Sequence, residues 1–321
     1  MSHRRPLTSA DKYVMRETSR HPELLSLSGG AIDAISKEAF DACPEYVSLF
    51  ARGGAKAAWE HDDDVTMLRP VSVAIWSRWR TCRHVYRFDR TLSEELGGMG
   101  LPDDMPVDTL AMLPYPIVYV EAKVPYHSVL GSELGNRGFF AWREEAGLIV
   151  AFDLTDVERS DAAFIMRLEH GTLGAVVDDL VRGDRDFAGT VGIEGVDDYA
   201  NMRETVVTVV NHLLYVISAN SEQEVVYRPS GNAKRANRTS QSTIHEVGTR
   251  VGRRLSQARV RYVGGKGPKG EGAKRPHVRA AHWHHYWVGP RADASKRRLV
   301  VRWLEPIFVG AGEPDTIVHE S

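Results

Sequence analysis

Imidazoles, guanidiniums and indoles crowd into residues 274–310. The stretch reads KRPHVRAAHWHHYWVGPRADASKRRLVVRWLEPIFVG and holds four histidines and three tryptophans. Three chemistries suit such a set. Arg275, His277, Arg279, His282, Trp283, His284, Trp287, Arg298 and Arg302 could bind RNA, the cations neutralising phosphates and the aromatic faces stacking on unpaired bases. His282 and His284, as HxH on a strand, could ligate zinc. Cysteines and acids to complete such a set are lacking nearby, so no metal or other cofactor is expected. His282, His284 and Tyr286 could also cleave RNA without a metal, one imidazole acting as base and another as acid. A structural use stands beside these: Trp283 and Trp287 stacking on Trp303 across strands would stabilise a hairpin by a few tenths to about 1 kcal/mol per pair. Polyanion binding fits the interleaving of basic and aromatic side chains most directly.

These residues need a scaffold that aligns them. Residues 278–288 are rich in aromatics, and 298–309 carry the run Leu299-Val300-Val301 with Trp303 and Phe308, so both read as strands. Gly289-Pro290 and the polar segment to Ser295 read as the loop of a hairpin. Period-two alternation places Arg279, Trp283, His285 and Trp287 on one face and His282, His284 and Tyr286 on the other. A core strand would not spend that many cations, so one face is expected to meet a polar or anionic partner.

Charge along the chain points the same way. The net charge of −2 hides a split: residues 228–303 hold 19 Lys+Arg against 3 Asp+Glu, leaving 22 basic and 40 acidic residues elsewhere. The split marks an acidic body carrying a basic module, and such modules most often meet nucleic acid or ribosomes, although two such halves could also neutralise each other internally. With 321 residues, 42% of them hydrophobic, the chain is long enough for two cores. Its two cysteines suggest no disulfide framework. The first residues lack the apolar run of a signal peptide. The longest apolar run, 206–217, is interrupted by Asn211 and His212 and falls short of a membrane span. A soluble cytoplasmic protein is expected.

Further organisation follows from periodicity. Ser9-Ala10-Asp11 starts a helix, a second is expected over 31–50, and a third over 71–88 with Val71, Ile75, Trp79 and Cys82 on one stripe. His61-Asp62-Asp63-Asp64 reads as a solvated turn or helix start, since three consecutive carboxylates cannot face one ion. Residues 117–122 form a strand, and 138–144 with 148–154 a hairpin. Helices are expected over 172–181 and 202–218, the latter apolar nearly all round and therefore buried, with His212 a hydrogen-bonded core histidine. Residues 228–242 read as a linker or arm. Ser242 is placed to cap a helix over 243–258, 260–263 reads as a short strand, and the glycine-rich 264–273 is a basic loop that matches no phosphate-binding motif.

The segments KRPHVRAAHWHHYW and RRLVVRWLEPIFV closely resemble the carboxyl-terminal signature of a type V-A anti-CRISPR family, the second described, carried by phages and other mobile elements. LPDDMPVDTLAMLPYPIVYVEA, GFFAWRE, the 202–218 helix and the arginine helix after Thr243 extend the resemblance more weakly. The family implies an inhibitor of effector-nuclease biogenesis. It would recognise the amino-terminal part of the nascent type V-A effector polypeptide and trigger loss of the messenger RNA being translated. No catalytic motif comes with the resemblance. The expectation is thus an α+β protein with helices packed on an antiparallel sheet. Residues 1–227 would be the acidic, polypeptide-reading body, and 228–321 the basic module ending in the hairpin. The expected partners are the nascent effector, RNA or the ribosome, and a host nuclease if the protein is an adaptor; no membrane is involved. A binding protein is favoured, with a histidine-dependent ribonuclease as the competing class.

Overall fold

The computed structural model describes residues 7–20, 70–102, 104–125, 135–144, 147–155, 163–168, 171–190, 199–218, 223–227, 242–264 and 277–309. The expected helix over 31–50, the acidic run 61–64, the segment 228–241 and the loop 265–276, with Arg275, lie outside them. Seven strands build one sheet: β1 (His84–Phe88), β2 (Ile117–Glu121), β3 (Asn136–Glu144), β4 (Gly147–Leu154), β5 (Ala163–Met166), β6 (Gln223–Tyr227) and β7 (Thr243–Val247). Their spatial order is β5-β4-β3-β2-β1-β7-β6. The α+β class is as expected, but the sheet is mixed. β1 runs parallel to both β2 and β7, while every other pair is antiparallel. Parallel neighbours need a crossover, and helix α3 (Arg90–Gly97) lies in the one from β1 to β2.

Both faces of the sheet are covered, and strand alternation sorts the side chains between them. Val118, Val120, Phe139, Ala141, Val150 and Phe152 point into the larger core, beneath α3, α4 (Leu173–Thr190), α5 (Tyr199–Ile217) and α6 (Thr249–Gly264). Ile117, Tyr119, Phe140, Trp142 and Ile149 point into the smaller one, beneath α1 (Ser9–Arg20) and α2 (Pro70–Trp79). Burial on both faces explains why β4 reads GLIVAFDL with no polar alternation.

Helix α1 begins where expected, its first turn held by the Thr8 hydroxyl accepting from the Asp11 N–H at 3.1 Å. Two expected helices change form. The stretch 71–88 divides into α2 and β1, because residues 84–88 find strand partners in β2 and β7, which bury Val85 and Tyr86 on opposite faces of the sheet. The stretch 243–258 divides into β7 and α6. Gly248, at φ 75°, makes the switch, and Ser242 donates its hydroxyl to buried Asp11 at 2.9 Å instead of capping. The expected strand at 260–263 belongs to α6. Helix α4 runs on to Thr190.

The boundary expected at residue 228 does not divide the core. β7 lies between β1 and β6 inside the sheet, and Ala281, Trp283, Val301 and Trp303 belong to the same buried cluster as Leu213 and Tyr215. The basic segment shares its interior with the acidic one because its apolar side chains find their burial there.

Candidate nucleic-acid interface

The histidine-rich hairpin forms as its alternation requires. β9 (His282–Val288) pairs with β10 (Arg298–Leu304), and the arms continue as β8 (His277–Arg279) and β11 (Ile307–Val309). The ladder breaks where Ala280-Ala281 lies opposite Glu305-Pro306; proline has no N–H to donate and interrupts pairing at that point. Gly289, at φ 129°, turns the chain at the tip, where a Cβ would lie 2.5 Å from the Lys296 carbonyl oxygen. Asp293 holds the turn by accepting from the Ser295 N–H at 3.1 Å and its hydroxyl at 2.6 Å.

One face of the hairpin is bolted to α5. Trp283 and Trp303 are cross-strand partners and both are buried. Trp283 donates its indole N–H to Asn211 Oδ1 at 2.9 Å, and Asn211 Nδ2 donates to the Leu96 and Met99 carbonyls at 3.0 Å each. Trp303 donates to Met99 Sδ at 3.1 Å, and Tyr215 meets both indoles edge-on, at 5.6 and 6.4 Å between centroids. Asn211 is therefore the joint between α3, α5 and the hairpin. The amide that interrupted an apolar helix was the signal for it, since a fully buried amide must find partners. Half-buried His285, on the same face, lies 3.9 Å from Asp104. Arg254 on α6 pairs with Glu305 at 2.5 Å and so fixes the ladder break.

The opposite face is open. His282, His284, Arg298 and Arg302 are exposed, with Tyr286 half-exposed among them. Arg302 lies directly opposite His284, and its guanidinium stands 5.8 Å from the Tyr286 ring centroid; the His284 and Tyr286 rings are 5.6 Å apart. His282 Nδ1 lies 3.3 Å from the Ala280 carbonyl.

The structure thus divides the nine candidate RNA-binding residues. His282, His284, Arg298 and Arg302 share one exposed face. Trp283 is 6% exposed and spent on packing, so it is not available for base stacking. Trp287 has the parity of the packed face but projects at the tip, 48% exposed, with the Arg297 guanidinium 5.7 Å from its ring. Arg279 is exposed opposite Ile307, His277 pairs with Val309 in β8, and Arg275 lies outside the described residues. His282, His284 and Tyr286 follow one another along a strand rather than converging on a point. Among the described residues, no three His, Cys, Asp or Glu side chains gather as metal ligands do.

Two other histidine environments emerge. His212 is fully buried, with Nδ1 2.8 Å from the Thr208 carbonyl and Nε2 2.9 Å from the Ser93 hydroxyl; burial pushes its pKa down to about 4. It is a core histidine, as expected. His84 and His245 were not expected to meet. Pairing of β1 with β7 brings His84 Nδ1 to 2.9 Å from His245 Nε2, with His84 stacked on Tyr115 at 3.4 Å and His245 on Tyr86 at 4.5 Å. Desolvation lowers the pKa of His84. They are 161 positions apart, and no local pattern could have found them.

Comparison with known proteins finds both a family and a similar fold. The model of the anti-CRISPR type V subtype A2 family, described as AcrVA2-like, matches residues 86–311. The crystal structure of AcrVA2 superposes with a TM-score of 0.54 and 17% identity, covering 95% of this chain and 100% of that one; at this identity the likeness concerns the fold. No curated protein matches the sequence.

Proposed function

Because the chain belongs to the anti-CRISPR type V subtype A2 family, we propose that it inhibits type V-A interference before the effector nuclease is complete. On this reading it recognises the amino-terminal part of the nascent effector and causes loss of the message under translation. Its basic carboxyl-terminal segment contacts RNA or the ribosome. The observation that carries the RNA part is the open face of the hairpin, where His282, His284, Tyr286, Arg298 and Arg302 stand together with no carboxylate on that face of β9 or β10. The polypeptide would be read by the acidic remainder of the chain. No helix among the described residues is long and apolar enough to cross a membrane.

Timing tests the proposal. The protein is induced either before or after the effector has accumulated, and plasmid interference is scored. Inhibition only in the first order supports action on biogenesis; equal inhibition of the finished nuclease contradicts it. Incubating the pure protein with labelled message separates the mechanisms. Retarded, intact RNA fits a binder that recruits a host nuclease, whereas cleavage lost in His282→Ala and His284→Ala assigns the cutting to the protein itself.

A further inference from the structure

We infer that the open face of the β9–β10 ladder is a binding site for single-stranded RNA, built around Tyr286 and Arg302; this rests on the RNA contact proposed above and assigns it a place and a ligand class. Four cross-strand rungs make the face: Val288 with Arg298, Tyr286 with Val300, His284 with Arg302, and His282 with Leu304. None carries an acid. Arg298 and Arg302 lie on the same side of one strand, about 13 Å apart at the usual rise of a β-strand, so both guanidiniums can follow one phosphate backbone. Tyr286 lies between them, and its ring is already near two cationic or polarisable groups, Arg302 and His284.

Duplex RNA does not fit this surface. Its bases are stacked inward and its recognition runs through phosphates and 2′-hydroxyls across a wide minor groove. The ladder instead offers an aromatic ring, an imidazole and the apolar side chains of Val300 and Leu304, the latter 38% exposed, all of which need an unstacked base face to contact. An acidic peptide would satisfy the two guanidiniums equally well, but it offers no flat partner for the Tyr286 ring, which an unstacked base supplies. Trp287 and Arg297 form their own pair at the tip with the opposite parity, and the strand of RNA on the ladder does not reach over to them.

The test is fluorescence anisotropy on the full chain with a labelled oligouridine of about 12 nucleotides, within the range single-stranded sites span, and with a duplex of the same length. Arg302→Gln and Tyr286→Leu are each expected to weaken single-strand binding about tenfold, the scale of one stacking or phosphate contact. Arg302→Gln should also reduce the slope of log K against log salt by about 0.7. Trp287→Ala is expected to stay within about twofold on the same scale. Thermal melts of Arg302→Gln and Tyr286→Leu should match the parent, since both side chains lie on the open face. If the chain binds RNA but neither variant weakens it, or binds duplex as tightly as single strand, the ladder assignment falls while the RNA contact stands elsewhere. If the chain binds neither RNA, the RNA contact itself fails. If the variants weaken capture of the effector's amino-terminal peptide and leave RNA binding alone, the face is a peptide site and the inference is overturned.

Discussion

Replacing Asn211 with leucine, which has a similar volume, isolates what the amide does. In the native protein it accepts from the Trp283 indole and donates to two carbonyls, those of Leu96 and Met99. The Leu96 carbonyl also accepts from the Met99 N–H at 3.3 Å, so Asn211→Leu leaves two groups orphaned, the indole N–H and the Met99 carbonyl. Each buried orphan costs about 1–3 kcal/mol, which sets the expected loss at about 3 kcal/mol. That is a large share of the roughly 5–15 kcal/mol that stabilise a typical domain. Urea denaturation followed by tryptophan fluorescence measures it, with the midpoint lowered and the slope unchanged. Trp283→Phe removes the matching donor, so the double variant should lose at least about 1 kcal/mol less than the sum of the singles. A loss below about 1 kcal/mol for Asn211→Leu, or strict additivity, would refute the view that this amide joins the hairpin to the body.

Burial of His212 predicts acid sensitivity. Its folded pKa, about 4, lies below the unfolded 6.5. As pH falls the unfolded chain takes up the proton first, so this contribution is complete above about pH 6.5 and is lost towards pH 4, amounting to about 3 kcal/mol. The lowered pKa of His84 acts in the same direction. His212→Gln should flatten stability between pH 7 and 5 as read by urea midpoints; an unchanged pH dependence would count against the assignment. Gly252 lies so close to Asp89 that a Cβ would be 1.8 Å from its Oδ1, the atom that caps α3 by accepting from the Thr91 and Leu92 N–H groups. Gly252→Ala should therefore cost about 1–3 kcal/mol through crowding and the lost cap, and much less in an Asp89→Ala background. Equal cost in both backgrounds would show that the crowding is not with Asp89.

Much of this architecture can be read from local pattern because local physics decides it. Short apolar runs rich in β-branched and aromatic residues give β2, β3 and β4, alternation gives the hairpin with its two faces, and continuous apolarity marks α5 as buried. What escaped depends on distant partners. Val85 and Tyr86 satisfy both a helical stripe and a strand, and only the sheet neighbours β2 and β7 select the strand. Thr243–Val247 becomes β7 for the same reason, with Gly248 permitting the turn into α6. The charge split suggested two bodies, yet charge reports on surfaces, and Trp283, Val301 and Trp303 commit the basic segment to the common core. At the candidate site, parity correctly separated the imidazole face from the indole face. Burial of Trp283 depends on Asn211 and Tyr215 of α5, and these partners are absent from the hairpin's own sequence.

In the proposed function the emerging effector polypeptide, read during translation, condemns its own message. A reporter pair tests it most directly. One message carries the effector's first codons in frame ahead of a fluorescent protein, and the other carries the same nucleotides shifted in frame so that a different peptide emerges. Message levels are measured in cells with and without the anti-CRISPR. The account predicts loss of the in-frame message alone, with the frame-shifted one stable. Equal loss of both would make the nucleotide sequence the target, and stability of both alongside inhibited interference would place the action on the finished nuclease; either result contradicts the account.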